Sequence, residues 1–229
     1  MCPARRKKLL SVVFLLLGCL CDSSCSRPTA PAAQGSESTG KHLGNFDYYL
    51  LALSWAPEFC STHGDRPSSS ECDAERHYGF VVHGLWPQND DGSYPQYCAP
   101  TRPVAQDTLQ RLLAIMPDRG LIQHEWAEHG TCSGLDVQTY FEEVQRAFNQ
   151  LQIPPEYRAP SRPRSVDPAG LEQEFGDANH APASAFRASC RGGDLIGVQV
   201  CLTQDLKYRA CGSGVRQCRD RNVTMRPLL

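Results

Sequence analysis

The sequence predicts an α+β fold, with an antiparallel central sheet packed with helices and tied by four disulfides. Strand-like segments near both ends enclose a run of helical ones, an order that an alternating parallel sheet does not produce. The 229 residues include 12 cysteines, too many for an ordinary reduced cytosolic enzyme. Charge is close to balanced, 23 Lys+Arg against 25 Asp+Glu, which excludes a basic protein that grips nucleic acid by net charge alone. At 41% hydrophobic residues the chain is neither disordered nor membrane-embedded in bulk.

The first 25 residues read as a secretory signal. Arg5, Arg6, Lys7 and Lys8 precede an apolar run over residues 9–17, about half what a bilayer-spanning helix needs. An N-terminal membrane anchor is the competing reading. Leu16-Leu17-Gly18-Cys19 resembles a lipobox, which would make Cys19 a lipid anchor; ordinary cleavage between about Cys21 and Ala33 fits equally well. Residues 26–43, rich in Ser, Pro, Ala, Gly and Thr, form a flexible leader, and residues 44–229 a single domain without repeats. Removing residues 1–25 takes away four basic residues and one acidic one, leaving 19 Lys+Arg, 24 Asp+Glu and a charge of -5. Eight cysteines remain, with spacing that leaves their pairing open. A zinc site is a poor alternative because no close CxxC pair occurs among them.

Residues 46–55 are aromatic and almost continuously apolar, as in a buried strand, and Pro57 ends them. Residues 61–76 are polar with a triple serine, a surface loop. Residues 78–83 form a second strand, halted by Gly84 and Pro87. From Pro103 onward, Leu109, Leu112, Leu113 and Met116 recur at helical spacing up to Pro117. Tyr140, Phe141, Val144, Phe148 and Leu151 share a helical face that stops before Pro154. Asp167-Pro168 caps a further helix through Leu171 and Phe175, and residues 194–203 alternate as a strand.

Two segments carry the chemistry. In the first, His83 ends an apolar strand and is followed by Gly84, Leu85, Trp86 and Pro87, which presents the imidazole at a sheet edge; a lone histidine of this kind is more often structural. The second is residues 124–132. On a helix, with His124 at 0°, Glu128 falls at about 40°, Glu125 at about 100° and His129 at about 140°. All four ionisable groups therefore share one side, Trp126 and Ala127 are free to pack, and Gly130 stops the helix. His129 then meets a helix C-terminus, whose dipole favours the imidazolium. A metalloprotease helix needs histidines four apart, and these are five apart; GxSxG and GxxxxGK[ST] are absent. Three histidines and a carboxylate, lacking a nucleophile, suit a reaction whose nucleophile belongs to the substrate, as the 2′-hydroxyl of RNA does.

These two segments closely resemble the active-site segments of the ribonuclease T2 family. The resemblance extends to residues 53–57 with Cys60, to Cys98 and to the C-terminal cysteines, covering roughly residues 46–220. It implies a secreted or periplasmic, metal-independent endoribonuclease with an α+β fold and little base preference, working as a monomer without a cofactor. It also implies that His83 and His129 are the general acid and base, that His124 holds the scissile phosphate and that Glu125 helps stabilise the pentacovalent transition state. Trp86 would lie against a bound base. The implied disulfides are Cys60–Cys72, Cys98–Cys132, Cys190–Cys218 and Cys201–Cys211.

One position departs from the pattern. Where the family usually carries Lys, this chain has Glu128, beside the phosphate. Reduced activity, a compensating arginine and a protonated Glu128 all stay open. A secreted RNA-binding protein with weakened catalysis is the alternative reading. A metal-dependent phosphodiesterase is a more remote one, and Asn222-Val223-Thr224 fits a glycosylation sequon that arises easily by chance.

Overall fold

The computed structural model describes residues 44–63, 70–73 and 75–228. The signal, the leader and Cys19 lie outside these residues, which belong to one compact unit, Gly40–Leu229. β1 (Tyr48–Trp55) is the central apolar strand expected from the sequence. It runs antiparallel to β2 (Phe80–Gln88) on one side and to β5 (Asp194–Leu202) on the other. β4 (Phe186–Arg191) pairs antiparallel with β5. β6 (Val223–Met225) continues the sheet from β5 in a short parallel contact, and β3 (Arg164–Val166) closes it antiparallel to β6.

Among the described residues five α-helices complete the fold: α1 (Ala56–His63), α2 (Gln106–Leu112), α3 (Arg119–Glu128), α4 (Val137–Gln150) and α5 (Pro168–Ala178). Aspartate caps set three of them. Asp118, Asp136 and Asp167 each accept a backbone N–H of the first turn with a side-chain oxygen, and Pro168 sits at the first position of α5. α2 to α5 cover one sheet face, where Tyr49, Leu51, Leu53 and Trp55 of β1 meet Phe80, Val82 and Leu85 of β2. The Tyr140 hydroxyl of α4 donates to the Leu85 carbonyl at 2.8 Å, pinning that helix to β2.

The opposite face carries a smaller apolar patch of Tyr48, Leu50 and Cys201, packed against Trp86, Cys211 and Val215. The segment after β5 crosses this face, held by Cys201–Cys211 and, further along, by Cys190–Cys218. Cys60–Cys72 and Cys98–Cys132 complete the four implied pairings.

Three local expectations change. β2 does not stop at Gly84 but runs through Gly84 and Pro87 to Gln88, so His83 is mid-strand. Ser61, Thr62 and His63 belong to α1, with Pro57 tolerated in its first turn, where the missing N–H has no intrahelical partner to lose. The helix foreseen from Pro103 starts at Gln106. β3 and β6 are three residues long, and β4 is half polar, which hides all three from pattern reading.

The β1–β2 register shifts once. Ala52 pairs with Gly84, but Leu53 pairs with Val82, leaving His83 as an extra residue in a β-bulge. The bulge reverses the alternation of β2: Phe80 and Val82 face the core before it, Leu85 after it.

Candidate active site

His83, Trp86, His124, Glu125, Glu128 and His129 all line one cavity of about 540 Å³ on the open sheet face. β2 supplies the first two and the last turn of α3 the rest, in the angular order that helical geometry dictates. The bulge makes the β2 contribution work. Residues three apart on a regular strand point to opposite faces; the extra residue turns both His83 and Trp86 toward the cavity.

Trp86 stands between the two outer imidazoles. Its ring centroid is 5.6 Å from that of His83 and 5.2 Å from that of His129. Its indole N–H donates to Glu125 Oε2 at 2.7 Å, leaving Oε1 3.5 Å from His83 Nε2. Ser54 Oγ lies 3.3 Å from the other nitrogen of that ring, Nδ1. Gly84 makes this arrangement possible. A Cβ there would stand 2.0 Å from Glu125 Oε2 and 2.3 Å from the indole nitrogen. The residue that reads as a strand stop is a space reserved for a hydrogen bond.

Glu128 is the hub of a second cluster. His124 Nε2 lies 2.7 Å from Oε2, the Tyr97 hydroxyl donates to Oε2 at 2.8 Å, and Gln96 Nε2 donates to Oε1. His129 Nε2 is 3.8 Å from Oε1. Tyr97 also donates its backbone N–H to the Glu128 carbonyl, and adopts a left-handed φ of 50° next to Cys98, whose disulfide to Cys132 fixes the segment to the end of α3. No arginine among the described residues pairs with Glu128. Sequence reasoning missed Gln96, Tyr97 and Ser54; the left-handed tyrosine carries no sequence signature.

Burial sets the charges. Glu125 is 1% exposed, and removal from water pushes its carboxyl up to about 8; the Trp86 N–H works against that rise and the Glu128 charge adds to it. Burial likewise brings His129 down to about 4, with Glu128 opposing and His124 and His83 reinforcing the drop. The helix-end dipole expected to favour its imidazolium is therefore outweighed. His129 Nδ1 is buried without a hydrogen-bond partner, which would leave a cation there unsatisfied. His83 is lowered from its usual 6.5, first by desolvation and then by His124, with Glu128 opposing.

Trp126 points away from the cavity and packs on Tyr140 and Phe141. Among the described residues, one grouping has metal-like spacing, Cys190, Cys218 and Asp220, and both of its sulfurs are spent in a disulfide.

Residues 46–155 match the model of the ribonuclease T2 family. A probable ribonuclease of Haemophilus influenzae is 42% identical over 120 residues, 47% of this chain and 44% of that protein. A ribonuclease of Aeromonas hydrophila is 43% identical over 123 residues, 53% of this chain and 50% of its own. The matched stretch spans about half the length of these relatives. An RNase-related protein from Calystegia sepium has the same fold, with a TM-score of 0.66 over 80% of this chain and 97% of its own at 24% identity.

Proposed function

Through residues 46–155 this chain belongs to the ribonuclease T2 family, and on that premise we propose that it is an endoribonuclease that cleaves single-stranded RNA by transphosphorylation. The observation that carries the reading is the pair of imidazoles, His83 and His129, both against Trp86 on one cavity and unequal in exposure, 43% for the His83 side chain and 8% for that of His129.

The inequality assigns the roles. His129, neutral above about pH 4, accepts the proton of the 2′-hydroxyl as that oxygen attacks the adjacent phosphorus. His83, in its protonated form, gives a proton to the departing 5′-oxygen, so the P–O5′ bond breaks as the P–O2′ bond forms. The product chain ends in a 2′,3′-cyclic phosphate. Glu125, raised to about 8, is a neutral acid over the working range. It accepts from Trp86 on Oε2 and donates from Oε1 to a phosphorane oxygen, which an ionised carboxylate would repel. His124 holds the phosphate from the solvent side, with Glu128 orienting its ring. Trp86 is occupied by Glu125 and His129, so half-exposed Tyr94 on the cavity wall offers the freer face for a base, alongside Trp86.

Four disulfides and the basic-then-apolar N-terminus support export to an extracytoplasmic compartment, by ordinary cleavage or by lipidation at Cys19. Nothing in the proposed steps calls on a metal ion or cofactor.

The test is incubation of the purified protein with homopolymeric RNA and with single-stranded DNA in excess chelator. RNA fragments ending in 2′,3′-cyclic phosphate and intact DNA are expected. Direct 3′-phosphate ends without a cyclic intermediate would contradict the mechanism, and RNA binding without cleavage would favour a non-catalytic binding protein.

A further inference from the structure

The active-site cavity is poor in positive charge for a site that must attract a polyanion. It sets three imidazoles beside the carboxylates of Glu125 and Glu128. The chain beyond residue 25 is acidic as a whole. One cation does reach the cavity wall: Arg216, on the segment stapled across the open sheet face.

Arg216 and Gln199 are shared with a neighbouring groove of about 420 Å³, which Arg191, Arg219 and Asp220 also line. The covalent structure explains how the arginines meet. Arg191 directly follows Cys190 and Arg219 directly follows Cys218, so the Cys190–Cys218 bond, with its Cα atoms 5.5 Å apart, sets two residues 28 positions apart in sequence on either side of one bridge. All three arginines are exposed. Among the described residues none of them enters an ion pair, whereas Arg187, Arg209 and Arg226 nearby in sequence all do. Asp220 is the one carboxylate in the groove. Like charges held together by a covalent link, with a single acid among them, are matched to an anionic ligand that spans them.

We propose that Arg216, Arg191 and Arg219 form a phosphate-binding track that carries the RNA backbone out of the active-site cavity, beyond the nucleotides that flank the scissile bond. The track supplies the long-range attraction that the cavity lacks, so the enzyme favours long RNA over short. The inference rests on the ribonuclease reading for the identity of its ligand.

The experiment measures binding separately from cleavage. A 2′-O-methyl 12-mer and a 2′-O-methyl dinucleotide, neither of which can be cleaved, are titrated with the full chain and with an Arg191→Ser/Arg219→Ser variant across a range of salt. The unaltered protein should bind the 12-mer at least a hundredfold more tightly than the dinucleotide, well beyond the roughly tenfold that the greater number of binding registers on a 12-mer supplies by itself. The double variant should lose most of that ratio. Its slope of log Kd against log salt should become shallower by about 1.4, or about 0.7 for each single-strand phosphate that an arginine no longer neutralises. Circular dichroism checks that the variant is folded. An unchanged length preference in the folded variant, or no length preference in the unaltered protein, would overturn the track. Parallel digestion of unmodified RNA keeps the two readings apart. Absence of cleavage there counts against the ribonuclease reading, while the 12-mer titration still decides the track.

Discussion

At the scale of single residues, the proposed chemistry divides the site into groups that move protons and groups that hold them. His83→Ala and His129→Ala should each lower kcat by about 10²- to 10⁴-fold, the usual contribution of a positioned acid or base. Folding should survive both changes, as near-ultraviolet circular dichroism would verify. Near-normal turnover in either variant would remove that histidine from the pair. Glu128 is a different case. Sequence comparison alone makes Glu128→Lys a gain, because a cation would return to the phosphate. The geometry reverses that expectation: an ammonium accepts no hydrogen bond, so the contacts from His124, Tyr97 and Gln96 would all be forfeited. Kinetics at pH 5 to 7 should show Glu128→Lys below the parent enzyme and Glu128→Gln between the two. A rise in kcat/KM for the lysine variant would mean that Glu128 is a handicap rather than a support for His124.

Among elements, β2 is the one whose irregularity shapes the site. Gly84→Ala would force a methyl group into the line between Trp86 and Glu125. Crowding of this kind costs about 1–3 kcal/mol, and the melting temperature should fall by several degrees. Activity should fall further than stability predicts, because Glu125 would lose its donor and its distance from His83. Comparing kcat/KM with that of a remote variant of equal melting temperature separates the two effects. Much of this element architecture is legible in the sequence. The α3 cluster follows from 100° per residue, and Asp167-Pro168 announces α5 by its own chemistry. What stays hidden has physical causes. Gly84 and Pro87 are ordinary breakers whose local preference is overridden by pairing with β1, and a bulge is a property of two strands that neither sequence contains alone. Gln96 and Tyr97 reach Glu128 only because Cys98 is bonded to Cys132, a long-range constraint that spacing does not encode.

For the whole molecule, the titrating groups predict how both activity and stability respond to pH. The proposed proton transfers need His129 neutral and His83 protonated. With His129 at about 4 and His83 below 6.5, the bell-shaped kcat/KM profile should peak on the acid side of neutrality. Stability follows from the same burial. Glu125 is raised to about 8 from 4.5, so the folded state keeps a proton that the unfolded state releases, and its contribution is full below about pH 4.5 and lost as pH rises toward 8. Buried Glu71, raised to about 7, acts in the same direction. His129 is lowered from 6.5 to about 4, so its effect is opposite: stability is lost as pH falls from 6.5 to 4. Melting temperature should therefore be highest in mild acid, and Glu125→Gln should flatten the decline between pH 6 and 8. An equally steep decline in that variant would show that Glu125 is ionised in the folded protein. Fold class and the four cysteine pairs are readable from sequence and resemblance, and so is the set of side chains that meets in the cavity. The order of basicity is not, because it depends on how deeply each group is buried.

The bulge at His83 also governs how this chain can change its length. Strand alternation is a matter of odd and even, and the single extra residue switches β2 from one parity to the other between Val82 and Leu85. Pairing the same residues with no bulge would turn Trp86 into the core and Leu85 out of it, and the site would be gone. Deleting His83 would instead leave a regular ladder in which Ala52 still faces Gly84 and Leu51 still faces Leu85. The sheet would be tidier and Trp86 would keep its place, but the imidazole would be lost. An extra residue beyond His83, with no second bulge to absorb it, would flip the rest of the strand. The strand can therefore shorten at this point without losing its fold, and lengthen only by losing its site.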